Sequence, residues 1–311
     1  MEAKALLLIK PEAAYNTDSE PAAANVIWAE NVQYTPRGQF VAGDPAMPGL
    51  GGVQGHTVGE HGELTFDVPL SLSGTAGVAP KWGPLHNACG YSETIVADTS
   101  VTYALAANPA ASTSVSIAWR KHRRLHRLTG AFGLVGYAFD EMQRPVAKYR
   151  FLGLKTNPAD AAVLAQADAT WTGWVDVKPV DQAQTVFTFN GVNPGLRSFS
   201  IEQSDNLVFS DRPGEKRIDI AGARTFTGRV RHTMMLPSEL NPEALKTAGT
   251  LVTASIVHGV TAGKILTLTT KGQITGDPSY SDDKGKDVVE YGYDPKPSAL
   301  GVDDQLTLVA T

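Results

Sequence analysis

The chain has 311 residues, 42% of them apolar and 19% charged, the balance of a folded protein with one large domain or two of ordinary size. Its single cysteine, Cys89, excludes an intrachain disulfide framework, and no apolar run approaches the ~18 residues of a membrane helix. The net charge of −5 is unevenly spread: residues 1–110 carry 4 Lys/Arg against 11 Asp/Glu, and residues 111–160 carry 9 against 3.

Residues 1–25 open on the apolar stretch Ala5–Ile9, too short for a signal-peptide core and preceded by Glu2, so a soluble protein of a reducing compartment is expected. The rest of that segment, rich in Ala, Pro and Glu, reads as an extended arm. A short strand is expected over Asn31–Thr35, then a long Gly/Pro-dense loop from Gly43 to Gly62. Glu63–Leu70 alternates, with Leu64, Phe66, Val68 and Leu70 on one face, as a half-buried strand does. Leu85 and Ala88 at helical spacing, halted by Gly90, predict a short helix over Pro84–Cys89. Strands follow over Val115–Trp119, Leu128–Phe139 and Val146–Leu154. The basic run from Arg120 to Arg127 lies at the turn between the first two. It reads as a solvated tip meeting acidic surface on a neighbouring subunit, with phosphate binding as the alternative. Asp160–Ala169, Ala-rich and without a breaker, reads as a short helix in a connector.

The order then returns. Ser198–Gln203 stands where Asn31–Thr35 stood, and Asp211-Arg212-Pro213 echoes Gly43-Asp44-Pro45. A strand over Thr225–Met235 and a short helix over Pro242–Ala248 come next, Leu245 and Ala248 matching Leu85 and Ala88. Strands over Leu251–Val257, Lys264–Ile274 and Asp287–Tyr293 complete the series, with Tyr291/Tyr293 set against Tyr149/Phe151. This is the pattern of a tandem duplication, with about 20 extra residues after the first helix.

Chemistry-bearing motifs are sparse. There is no phosphate loop, and Gly49, Gly51 and Gly55 lack the strand-to-helix setting of a dinucleotide fingerprint. His56 and His61, with Glu60 or Glu63, could share a metal only if the loop folded back, so none is expected. No Gly-x-Ser-x-Gly elbow exists, and Cys89 beside Ala88 reads as a buried small hydrophobe. Asp282-Asp283 lacks the alternating oxygen ligands of a calcium loop. Trp171, Trp174, Phe187 and Phe189 could form a sugar-stacking platform, although aromatic clusters in β-proteins are usually core. No catalytic constellation, cofactor or metal is expected, and an enzyme is disfavoured.

Three stretches, in order, resemble the major tail tube proteins of bacteriophages with long non-contractile tails. They are Lys10-Pro11-Glu12-Ala13-Ala14-Tyr15-Asn16-Thr17-Asp18, with Asn16 where that family usually has glycine; Gly74-Thr75-Ala76-Gly77-Val78-Ala79-Pro80-Lys81-Trp82-Gly83-Pro84-Leu85 closing on Ala88-Cys89-Gly90; and Thr261-Ala262-Gly263-Lys264 with the later Pro278–Gly285. The resemblance implies a mainly β fold of duplicated β-sandwich units with short flanking helices, about four strands of each unit joining the inner wall of a ring. Stacked rings would form the virion tail tube through which DNA leaves without specific binding. The protein would be made in the host bacterial cytoplasm and would not meet a membrane. Family members with two units form homotrimeric, pseudo-hexameric rings and those with one form hexamers, so the duplication points to the trimer. Tape measure, tail terminator and distal tail proteins would be the other partners.

The expected organisation is an arm over 1–25, a first unit over 26–155, a connector over 156–195 and a second unit over 196–311. Candidate inter-ring contacts are Lys10, Tyr15, Asp18, His56, Arg120, Arg123, Arg124 and Arg127. Candidate bore-lining hairpins run from Leu128 to Phe139 with Lys148 and Arg150, and from Lys264 to Ile274 with Asp287 to Tyr293. Lys148 and Arg150 make one strand face basic, and neighbouring acidic groups are expected to neutralise it. Two rival readings remain: a tube protein of a contractile injection system, and a β-sandwich carbohydrate-binding or adhesin module of a tail tip using Trp171, Trp174 and Phe187.

Overall fold

A computed structural model of the chain describes residues 6–43, 54–121, 123–161 and 168–311. Gly49, Gly51, Asp44-Pro45, His122 and most of the helix expected over Asp160–Ala169 lie outside the described residues. The protein is mainly β. Its strands are β1 (Leu6–Pro11), β2 (Val26–Ile27), β3 (Glu30–Val41), β4 (His56–Pro69), β5 (Tyr91–Val96), β6 (Ser100–Leu105), β7 (Val115–Lys121), β8 (Arg124–Asp140), β9 (Val146–Lys155) and β10 (Ala159–Asp160). They continue with β11 (Thr185–Phe189), β12 (Leu196–Gln203), β13 (Leu207–Arg212), β14 (Glu215–Ile220), β15 (Phe226–Thr233), β16 (Val252–His258), β17 (Leu266–Ile274), β18 (Ser279–Asp283), β19 (Lys286–Pro295) and β20 (Leu306–Ala310). Two short helices, α1 (Gly83–Ala88) and α2 (Pro242–Thr247), fall where helical spacing places them.

Eighteen strands form one antiparallel sheet, and β13–β14 is a separate hairpin. The pairings run β3-β4-β9-β8, then cross from β8 to β12 and continue β12-β15-β19-β18. These eight strands make a continuous layer. From β8 the sheet also passes to β7, β1 and β2, and from β17 to β16 and β11 on one side and β20, β6 and β5 on the other. No path of pairings returns on itself, so among the described residues the sheet is open and ends in unpaired edges, β3 and β18 among them.

One core lies between the two portions. Leu64, Phe66, Tyr149, Phe151, Phe199, Val230 and Tyr291 enter it from the eight-strand layer, and Ile117, Phe187, Ile256, Leu268 and Leu308 from the other portion. The alternation read in Glu63–Leu70 is therefore a strand with one face inside. On the opposite face, hairpin β13–β14 sets Leu207, Ile218 and Ile220 against Phe132, Leu134, Leu152 and Leu154.

Two expectations need correction. The strand expected over Asn31–Thr35 extends to Val41, and the last part of the expected Gly43–Gly62 loop, His56–Gly62, is its partner, with Val41 opposite His56. Residues 6–20 are not an arm standing off the body. β1 pairs along its whole length with β7, and Leu6, Leu7, Leu8 and Ile9 are all buried, because β1 is covered on both faces. A run of four apolar residues suits such a strand.

Candidate assembly interface

Residues of the first resembling stretch fold onto their own subunit. The buried Glu12 carboxylate accepts from the Ser114 and Ser116 hydroxyls (2.7 and 2.8 Å) and from the backbone N–H groups of Gly130 and Asn16 (2.8 Å each). Four donors on one carboxylate fix the turn that follows β1. Asn16 sits at φ +58°, a left-handed conformation that asparagine tolerates, so the departure from glycine leaves the turn intact. Tyr15 stacks on Phe132, and its hydroxyl accepts from the Ile218 N–H at 2.7 Å, tying this segment to β14. Lys10 donates to the Ser19 carbonyl, and Asp18 pairs with Arg127. The polar groups of Lys10, Tyr15, Asp18 and Arg127, expected at contacts to another ring, are engaged within the chain.

The other two resembling stretches meet each other. The Gly74 N–H donates to the Gly263 carbonyl at 3.1 Å, and a Cβ on Gly263 would come within 2.5 Å of the Gly74 backbone. Only glycine permits this approach. Beside it the Trp82 indole donates to the Ser71 carbonyl at 2.7 Å.

The basic run is a hairpin tip, with Lys121 opposite Arg124. Arg123 and Arg124 are exposed, and neither they nor Arg120 make an ion pair among the described residues. His56 is an exposed strand residue opposite Val41, whereas His61 stacks on Phe209 with ring centroids 4.2 Å apart. No group of three potential metal ligands occurs among the described residues.

Of the expected bore-lining hairpins, Leu128–Phe139 with Val146–Leu154 forms in the eight-strand layer. Lys264–Ile274 with Asp287–Tyr293 is corrected: β17 lies in the other portion between β16 and β20, and β18 takes its place beside β19. β8, β9, β17 and β19 each have one face in the core. Leu128, Phe139, Ile274 and Tyr293 are buried there, which corrects their assignment to an open surface. Lys148, Lys264 and Asp287 are exposed, and Arg150 is half-buried. The outer face of the eight-strand layer is the one carrying Lys148 and Arg150, and its arginines are paired with carboxylates. Arg150 bridges Glu63 at 2.9 Å and Asp205 at 2.6 Å, Arg37 reaches Glu63 at 2.7 Å, and Lys148 lies opposite Asp67. Further along, Arg229 pairs with Glu290 at 2.9 Å and Arg231 with Asp283 at 3.4 Å. Partial burial alone would raise the Glu63 carboxyl, but the Arg150 and Arg37 guanidiniums hold it below the usual carboxylate range.

The proposed aromatic platform is dismantled. Phe187 and Phe189 are core residues, and the Trp174 indole donates to the Val26 carbonyl. Cys89 is fully buried and its thiol is pushed up by burial, as an unreactive packing residue would be. Sequence reasoning missed the polar heart of the core. His86 of α1 lies between the Tyr137 and Tyr149 hydroxyls, each at 2.9 Å, and burial lowers its pKa to about 3.

It also missed β18, the outer strand at one end of the eight-strand layer. β18 carries charge rather than apolar alternation, yet Lys284 (φ +55°) and Gly285 (φ +79°) form the two-residue turn that joins it to β19, and Gly285 is the residue that suits such a turn. No protein-family model matches the chain, and no curated protein matches it.

Proposed function

We propose that the chain is a structural protein that assembles into rings and tubes of the phage tail tube kind, with the two four-strand runs as the duplicated units of one protomer. The observation that carries this reading is the continuous layer β3-β4-β9-β8-β12-β15-β19-β18, open at both ends among the described residues, with an outer face that bears paired charges where hairpin β13–β14 does not cover it. An open layer with two free ladders is a liability in a monomer and a building surface in an assembly. Head-to-tail joining of one edge to the other is heterologous, and it closes into a ring when the rotation per copy divides a full turn.

Arithmetic favours three copies. Eight strands per copy give 24 per ring, and strands ~4.8 Å apart tilted by ~40° close at a diameter of about 48 Å. Side chains narrow this to roughly 35–40 Å, wide enough for a duplex about 20 Å across. The compensated face suits passage rather than capture, because a phosphate would have to displace a carboxylate already paired to Arg150, Arg229 or Arg231. The Arg120–Arg124 tip and the β3–β4 ribbon, which carries exposed Phe40 and Val41, are the surfaces left for ring-to-ring contact.

The test is negative-stain microscopy of the concentrated protein with rotational averaging, alongside light scattering. Three-copy rings, alone or stacked, are expected. A monomer at every concentration would overturn the reading.

A further inference from the structure

Resting on that reading, we infer the residue register at which two copies join: Glu30–Tyr34 of one copy pairs antiparallel with Tyr280–Asp283 of the next, Gln33 facing Ser281. The template is the seam inside each chain, where β8 meets β12 with Tyr137 opposite Ile201, Ala138 opposite Ser200, Phe139 opposite Phe199 and Asp140 opposite Ser198.

The ladders transfer this seam to the free edges. Tyr149 of β9 lies opposite Val135 of β8 and Phe66 of β4, and Tyr291 of β19 lies opposite Val230 of β15. Matching Tyr149 to Tyr291 aligns Ala147 with Val289, and hence Tyr137 with Tyr280, Ala138 with Ser281 and Asp140 with Asp283. The same match aligns Phe66 with Val230. On β3 and β12 it then sets Glu30 beside Ser198, Gln33 beside Ser200 and Tyr34 beside Ile201. Reading the internal pairs across gives Tyr34 with Tyr280, Gln33 with Ser281 and Glu30 with Asp283.

An independent contact supports the match. The Tyr137 hydroxyl meets His86 on α1 at 2.9 Å, and the Tyr280 hydroxyl donates to Glu243 on α2 at 2.7 Å. The two tyrosines thus hold equivalent positions against equivalent helices. Yet Tyr137 is fully buried and Tyr280 is 49% exposed. The strand beside them differs: β12 pairs with β8 at Tyr137, while among the described residues β18 pairs only with β19. A second copy's β3 supplies the missing strand, and Tyr34 then stands where Ile201 stands.

Faces and ends agree with this placement. Gln33 and Ser281 both lie on the outer polar face, as Ser200 and Ala138 do, and Tyr34 and Tyr280 share the core face. Glu141 and Arg197 form an ion pair that closes the internal seam. At the free edges Lys284 and Glu30 lie at or next to those positions with the signs exchanged. Pro36, unable to donate to a ladder, ends the pairing stretch just past Tyr34.

Cysteine cross-linking reads the register directly, because opposed residues of an antiparallel pair have Cα atoms about 4.5–5.5 Å apart, within disulfide reach. Buried Cys89 leaves the parent protein as a clean control. The variant Gln33→Cys/Ser281→Cys is oxidised under ring-forming conditions, in parallel with the shifted pairs Gln33→Cys/Ser279→Cys and Gln33→Cys/Asp283→Cys. All are examined by denaturing gel and microscopy. The expected result is covalent trimers for the first pair, at least tenfold above both shifted pairs. Mixing the two single-cysteine proteins should yield covalent dimers only. Rings that form without this cross-link, or that cross-link better through a shifted pair, overturn the register and leave the ring standing. Absence of rings in every sample, parent included, overturns the register and the proposed function together.

Discussion

β1 and β11 hold corresponding places, one beside β7 and the other beside β16, yet the chain treats them differently. β1 is buried on both faces: Leu7 and Ile9 enter the main core, and Leu6 and Leu8 pack with Val26, Ala118 and Leu125 in a smaller cluster. β11 buries only Phe187 and Phe189, and leaves Val186 open on its other face. The helices repeat the contrast. α1 buries Gly83, Leu85, His86 and Ala88, whereas α2 buries only Pro242. The first half is sealed by its own chain, so the surfaces left for partners concentrate on the second half and on the β3 edge.

The largest effect should come from breaking that seal. Deleting residues 1–11 removes β1 and four buried apolar side chains, each contributing about 1.5–3 kcal/mol on burial. Their sum rivals the roughly 5–15 kcal/mol that keeps a typical domain folded. The expected outcome is insoluble or unfolded protein, by far-UV circular dichroism and gel filtration. A soluble, folded truncated body would show that β1 is an appendage like the arm first expected.

A smaller effect sharpens the contrast between the helices. Burial lowers His86 from its ordinary 6.5 to about 3, and its neutral ring is held by two tyrosine hydroxyls. The unfolded chain therefore binds one more proton than the folded chain between those values. Stability should be level above pH ~6.5 and fall as the pH drops, by at most about 1.4 kcal/mol per pH unit from this residue. Burial also lowers His232 and His258, which add to the slope with the same sign. Urea midpoints between pH 7 and 4 should show it, and His86→Gln should make the slope shallower. An unchanged profile would mean that α1 admits water as α2 does.

Legibility in the sequence follows burial. Leu64, Phe66, Val68 and Leu70 announced β4 because one face meets the core, and Leu85, Ala88 and Gly90 announced α1 for the same reason. The outer part of β3, Pro36–Val41, has no core to face and carries no alternation, so it gives no strand signal. Ser279–Asp283 was missed likewise: it is an edge strand exposed along most of its length, and its charged residues imitate a turn. Leu6–Ile9 was noticed as apolar but tested only for export, when a short apolar run also suits a strand buried on both faces. The latch of Tyr15 onto Ile218 spans 203 positions and leaves no local trace. The proposed interface was legible only as a pattern in the order of elements, because its edges are defined by which strands lack partners among the described residues.

The smallest effect tests the open side of the comparison. Val186 is 51% exposed on the outer face of β11, so Val186→Thr keeps the β-branched shape and changes little that is buried. Its cost should stay within about 0.5 kcal/mol in a urea titration of the isolated protein. Leu8→Thr at the corresponding covered face of β1 should cost several times more, since it removes buried methyl groups and encloses a hydroxyl among Leu6, Val26 and Ala118. Equal costs at the two sites would mean that β11 is as covered as β1. A Val186 cost that appears only at ring-forming concentration would instead place that face at a contact between copies.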